Sequence, residues 1–209
     1  MTYIVRPIAN LETSYNAQGG LAGTGIGTSS LFTDAVPYYL RGSYFTTNAA
    51  IQIPNVIVNH CFTMLMWVRF DAVSSTQTLF SIDRANYGLN IANYENTLTI
   101  QADTNKIAVG IYKHRTDIAG WEMAESAAAT ISAVTWYYLA VSLDYDGTDT
   151  QVAVYIDGSA VSMNDASLDG VYLEYKSGFN TIIGCEAASS SGGSPENAFS
   201  GYIYTFKIN

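Results

Sequence analysis

The chain has 209 residues, of which 13% are charged, and its 9 basic against 18 acidic side chains leave a net charge of -9. Such a field repels a phosphate backbone and an anionic bilayer, which argues against nucleic-acid and membrane partners. A chain this long can bury enough surface to fold as one β domain without a disulfide or a metal.

The surface must be carried by Ser, Thr, Asn and the 16 tyrosines rather than by Lys and Glu. That composition suits extracellular β proteins and subunits that pack against one another. No apolar run approaches the roughly 18 residues of a membrane span, and the opening MTYIVRPIAN lacks the apolar core of a signal peptide. An extracellular or cell-surface location is expected if the chain is processed from, or part of, a longer protein.

In chain order, residues 1–35 are Gly- and Ser-rich and weakly patterned, which predicts a loosely structured N-terminal lead. GTGIGTSS, residues 23–30, alternates glycines without the strand and helix of a phosphate cradle, so it reads as a flexible loop. Residues 36–209 read as one domain. PYYLRGSYFTTNAAIQIPN alternates like a pair of strands.

FTMLMWVRF, residues 62–70, places Phe62, Met64, Met66, Val68 and Phe70 on one face and Thr63, Leu65, Trp67 and Arg69 on the other. Both faces are largely apolar, which predicts a central strand covered on two sides, with Trp67 and later Trp136 in the core. TQTLFSID, YGLNIANY, NTLTIQA and KIAVGIY follow as a meander with turns at DRAN, NYEN and ADTN. Asp83, Asn86 and Asn90 fall in one of those turns and the strand start after it. They are candidate ligand-binding acceptors on a loop rim, with ordinary turn chemistry as the competing explanation.

WEMAESAAATISA, residues 121–133, is Ala-rich and predicts one helical turn. Trp121, between Gly120 and Glu122, is the candidate for an exposed sugar-stacking surface, against simple burial. TWYYLAVSLDYDGTDTQVAVYIDG, residues 135–158, reads as a hairpin, because Asp-Gly pairs accept the backbone geometry of tight turns. Its acidic middle brings Asp144, Asp146 and Asp149 together, and hard cations want several closely spaced oxygens. These three are candidate calcium ligands, although an EF-hand's spacing and bidentate Glu are missing. FNTIIGCE and AFSGYIYTFKIN close the chain as two strands around the loop AASSSGGSPEN.

Cys61 and Cys185 are the only cysteines, either one bridge closing a long loop or two buried thiols. No Asn begins a glycosylation sequon, and His60 and His114 stand outside any metallohydrolase or serine-hydrolase motif. Glu122 and Glu125 read as a solvated pair rather than as the paired carboxylates of a glycosidase.

Four of these pieces resemble the laminin-G-like, or concanavalin A-like, jelly-roll superfamily: YFTTNAAIQIP, FTMLMWVRF, the Trp136 to Gly158 hairpin, and IIGCE with AFSGYIYTFKI. The resemblance implies an all-β fold, a two-sheet antiparallel β-sandwich of the jelly-roll type. It implies glycan or protein binding, often assisted by calcium, with catalysis in a minority of members. It also places DYDGTD at a hairpin turn between core strands, so Asp144, Asp146 and Asp149 are expected as turn residues first and metal ligands second. The functional expectation is a non-enzymatic recognition or adhesion module for a glycan or extracellular protein. The alternative is a structural subunit of a self-assembling fibre or coat, a homo-oligomer or filament in which the N-terminal lead completes a neighbour's sheet.

Overall fold

In a computed structural model of the protein, residues 3–7, 14–18, 22–26, 29–32, 42–46, 49–54, 61–84, 98–114, 119–172, 179–185 and 197–208 are described. They form strands and turns, with no α-helix among them. The front sheet runs β4 (Ser29–Phe32), β5 (Gly42–Phe45), β18 (Gly201–Ile208), β7 (Phe62–Phe70), β12 (Trp136–Tyr145) and β13 (Thr150–Ile156). The short strands β14 (Ser159–Val161) and β16 (Ser167–Leu168) extend it beyond β13. The back sheet runs β6 (Ala50–Pro54), β17 (Phe179–Ile183), β8 (Gln77–Arg84), β9 (Leu98–Asp103), β10 (Lys106–His114) and β11 (Ala119–Ser126), with β15 (Met163–Asn164) at its edge. All of these strand pairings are antiparallel, as expected of a jelly-roll sandwich.

The core lies between the sheets because each sheet turns one alternate set of side chains inward. Met64, Met66, Val68 and Phe70 of β7 and Leu139, Val141 and Leu143 of β12 meet Phe80, Leu98, Ile100, Ile107, Val109 and Ile111 of the back sheet, all at most 1% exposed. Strand β18 must approach β7 closely at one end. Gly201 there has φ +147, and a Cβ would run into the Arg69 carbonyl oxygen, so only glycine fits.

Several sequence expectations are corrected. Residues 1–35, read as a loose lead, contribute β1 (Tyr3–Pro7), β2 (Ser14–Gln18), β3 (Ala22–Ile26) and β4. Strand β1 pairs with β18 and β3 with β6, so backbone hydrogen bonds supply an order that Gly-rich side-chain patterning does not signal. Residues 121–126 lie in β11, not in a helical turn, because pairing with β10 and burial of Ala124 outweigh alanine's helix preference. Residues 128–129 then form a turn. Strand β7 is central, between β12 and β18, but only one of its faces is fully buried; Thr63, Leu65, Trp67 and Arg69 are half-buried.

The DYDGTD loop is a four-residue hairpin turn between Tyr145 and Thr150. Asp146 Oδ1 accepts the backbone N–H groups of Thr148 (2.9 Å) and Asp149 (3.0 Å), while its Oδ2 accepts Gln151 Nε2 (3.0 Å). Asp149 Oδ1 accepts the Gly170 N–H at 2.7 Å. Asp157-Gly158, both at positive φ (51° and 80°), make the next two-residue hairpin, and Asp157 Oδ1 accepts the Tyr138 N–H at 2.8 Å.

Cys61 and Cys185 are free, the first exposed and the second buried, so no bridge joins them. They belong to different sheets: Cys61 precedes β7 and donates its thiol to Asp144 Oδ1 (3.0 Å), while Cys185 follows β17 and packs with Ala50 and Ile182. The hydrogen bond to Asp144 raises the Cys61 pKa, since the thiol can donate it only while protonated. Under native conditions Cys61 alone should therefore take up a maleimide, slowly at neutral pH and faster in alkali. Cys185 should follow only in denaturant; failure of both to label in denaturant without reductant would reveal a bridge.

The two backbone donors lower the Asp146 pKa, that of Asp149 most and that of Thr148 next. The stabilisation is present above the unfolded carboxylate value of about 4 and is lost as pH falls through the lower native value. Urea denaturation followed below about pH 4 should show stability declining, with a shallower decline in Asp146→Asn. Superimposable acid limbs would remove Asp146 as the organiser of this turn.

Candidate functional site

The outward face of the front sheet carries a continuous aromatic surface. Its construction follows from strand alternation: with Met64, Met66 and Val68 turned inward, Leu65, Trp67 and Arg69 must turn outward. The neighbouring strands are in register with them. Tyr44, Tyr202, Arg69 and Trp136 stand opposite one another across β5, β18, β7 and β12. One step along the strands, Tyr204, Trp67 and Tyr138 form a second row. Leu65, Ala140 and Tyr155 form a third.

At strand spacings of about 4.8 Å the first row spans roughly 14 Å, room for a short oligosaccharide rather than a single ring. The rings support one another: Tyr44 and Tyr202 have centroids 4.8 Å apart, Trp67 and Tyr138 5.4 Å, and Trp136 and Tyr202 5.9 Å. The Arg69 guanidinium lies 5.1 Å from the Tyr202 ring centroid, a cation–π contact that holds the cation at the surface. Asp71, just past β7, accepts the Tyr44 hydroxyl (2.9 Å) and the Ser200 hydroxyl (3.2 Å), both through Oδ2. The bond to Asp71, with burial second, raises the Tyr44 pKa and keeps the phenol protonated.

All of these side chains except Tyr155 are half-buried, and Tyr155 is exposed. Among the described residues the exposed large hydrophobic side chains are Val134 (62%) and Tyr155 (41%), the latter a member of the third row. Val134 lies where β12 begins, its N–H donating to the Phe70 carbonyl at 2.7 Å.

The residues singled out from sequence fall elsewhere. Trp121 lies on β11 in the back sheet, opposite Tyr112, rather than in an irregular segment. Asp83 lies within β8, opposite Asn180, rather than in a turn; Asn86 and Asn90 are outside the described residues. Asp146 and Asp149 are engaged in the turn hydrogen bonds given above, and Asp144 accepts the Cys61 thiol. Among the described residues no group of three or more His, Cys, Asp or Glu side chains is placed to hold a metal ion.

Glu122 and Glu125 are three apart on β11, so alternation turns them to opposite faces and they cannot flank one glycosidic bond. Glu125 instead pairs with Lys106 at 3.0 Å. Trp67 and Trp136, expected in the core, are surface members of the platform. The alternation in FTMLMWVRF carried the signal for them, once its second face is understood as a half-exposed surface rather than a buried one.

Solved structures share this architecture at low identity. The CBM40 of the Ruminococcus gnavus IT-sialidase, solved bound to alpha2,3 sialyllactose, matches with a TM-score of 0.52 and 12% identity, over 72% of this chain and 76% of that one. The K499G mutant of NanB sialidase from Streptococcus pneumoniae matches with a TM-score of 0.58 and 15% identity, over 80% of this chain but 25% of that one. The binding domain of Botulinum Neurotoxin DC in complex with SialylT matches with a TM-score of 0.56 and 10% identity, over 99% of this chain and 46% of that one. No curated protein sequence matches the chain. A sequence model of the concanavalin A-like lectin/glucanases superfamily matches residues 45–209, from the end of β5 through β18 and most of the chain. The chain belongs to the concanavalin A-like lectin/glucanase superfamily.

Proposed function

We propose that the chain is a non-enzymatic glycan-recognition module acting outside the cell or at its surface, and that the aromatic face of the front sheet is its binding surface. The observation that carries this reading is the registration of Tyr44, Tyr202, Arg69 and Trp136 across four strands, with Trp67, Tyr138 and Tyr204 beside them. The C–H face of a pyranose is weakly apolar and slightly electropositive, so it stacks on a ring whose quadrupole presents negative charge. Arg69, Asp71 and the tyrosine hydroxyls supply the polar partners for sugar hydroxyls that an apolar floor alone would leave unpaired.

The similar structures solved with sialyllactose and SialylT support a glycan as the ligand class. The reading gives calcium no part in the binding surface, because DYDGTD lies at the far end of β12 from Trp136, where Asp146 and Asp149 serve the turn and Asp144 accepts the Cys61 thiol. Assembly into a fibre by N-terminal strand addition is favoured less, since β1 and β3 hydrogen-bond to β18 and β6 of their own chain.

The test is a glycan array followed by titration calorimetry. Trp136→Ala and Trp67→Ala should each weaken the strongest glycan about tenfold, about 1.4 kcal/mol, with little change in melting temperature because neither ring lies in the core. Full affinity in both variants would move the site off this face, and an array without a hit would refute the glycan reading.

A further inference from the structure

Among the described residues, the first two aromatic rows hold a single charged side chain, Arg69, in a chain whose net charge is -9. It stands in the interior of its row, with Tyr202 of β18 on one side and Trp136 of β12 on the other. Those two strands lie two strand spacings apart, about 9.6 Å, yet the Trp136 and Tyr202 ring centroids are only 5.9 Å apart. The rings therefore lean toward each other across β7. Arg69 is half-buried between them, its guanidinium carbon 5.1 Å from the Tyr202 ring centroid.

This packing fixes the cation in place without pairing it. The Tyr202 ring attracts the charge, whereas the N–H donors of a guanidinium call for oxygen acceptors. Arg69 makes neither a side-chain hydrogen bond nor an ion pair among the described residues, where the ion pair formed is Lys106 with Glu125 on the back sheet. The carboxylate closest along the chain, Asp71, turns Oδ2 to the hydroxyls of Tyr44 and Ser200 instead. A half-buried cation without a counter-charge carries a desolvation cost that a well-matched anion returns. A fork already held in position matches a planar, bidentate acceptor, which is the geometry of a carboxylate. A group one strand spacing, about 4.8 Å, to the side of a pyranose stacked on Trp136 meets Arg69.

We infer that Arg69 is the specificity-determining residue of the aromatic face and selects a glycan that carries a carboxylate on the stacked sugar. The guanidinium fork donates to the two carboxylate oxygens while Trp136 supplies the stacking surface. One cation in a field of net negative charge suits an isolated acidic unit in an otherwise neutral glycan, because a densely charged chain meets repulsion from the rest of the surface. This rests on the glycan-binding reading above and adds the sugar class to it.

The experiment is calorimetry of the full chain with two matched pairs: cellobiose against cellobiouronic acid for a uronate, and lactose against 3′-sialyllactose for a carboxylate on the anomeric carbon. The acidic member of at least one pair should bind about tenfold more tightly, and the pair that shows the preference identifies the source of the carboxylate. The methyl ester of that acid, which keeps the size and loses the charge, should bind like the neutral member. Arg69→Gln should bring the ratio of acidic to neutral affinity to about one, and Arg69→Lys should keep about threefold, because the charge remains and the fork is lost. Trp136→Ala should weaken both members of the pair. The inference is overturned by an Arg69→Gln variant that keeps the wild-type ratio, by an ester that binds as tightly as the acid, or by a heparin disaccharide that binds more tightly than the single carboxylate. Equal binding of acidic and neutral members in both pairs overturns it too and leaves the glycan-binding reading standing, whereas binding to no glycan removes both.

Discussion

Burial of one side of β7 organises the rest of the molecule. Phe62, Met64, Met66, Val68 and Phe70 fill the interlayer space, each at most 5% exposed. A strand whose inward set is committed in this way cannot slip by one residue without exposing all five. The outward positions of Trp67 and Arg69 are a consequence of that packing. Strands β12 and β18 take their register from β7, and β5 takes its register from β18. The alignment of aromatic rings across four strands therefore inherits its precision from the core.

The two faces of the front sheet differ in chemistry. Inward, aliphatic and methionine side chains pack against the back sheet. Outward, tyrosine and tryptophan present rings with hydroxyl or indole N–H groups that remain compatible with water. A low content of charge is consistent with this arrangement, because Lys and Glu on the same face would cover the rings with long hydrated side chains. Arg69 is the exception that fits, since its planar cation lies against Tyr202 rather than standing over the platform.

The turns supply geometry at little cost in side-chain diversity. Asp146 and Asp157 each place a carboxylate against backbone N–H groups, which closes the hairpins that flank β13. Their acidic clustering in sequence resembles a cation site, but the carboxylates are spread among separate turn contacts instead of converging on one point. Glycine at 201 performs a different task, allowing β18 to approach β7 at the end of the sheet where Tyr202 and Arg69 meet.

The sequence by itself determined the fold class, the β7 alternation and the Trp136 to Gly158 hairpin, because these depend on period-two patterning and on turn residues that act within a few positions of one another. It also determined which side chains of β7 share a face. The tertiary structure alone decided whether the second face would be covered, and it brought Tyr44, Asp71, Trp136 and Tyr202 together from four separate stretches of chain. It decided the fate of Trp121 and of the cysteines in the same way, by assigning their strands to particular sheets. The physical reason is that local pattern specifies the two sides of a strand, whereas a surface shared by several strands exists only after nonlocal pairing has set their order and register.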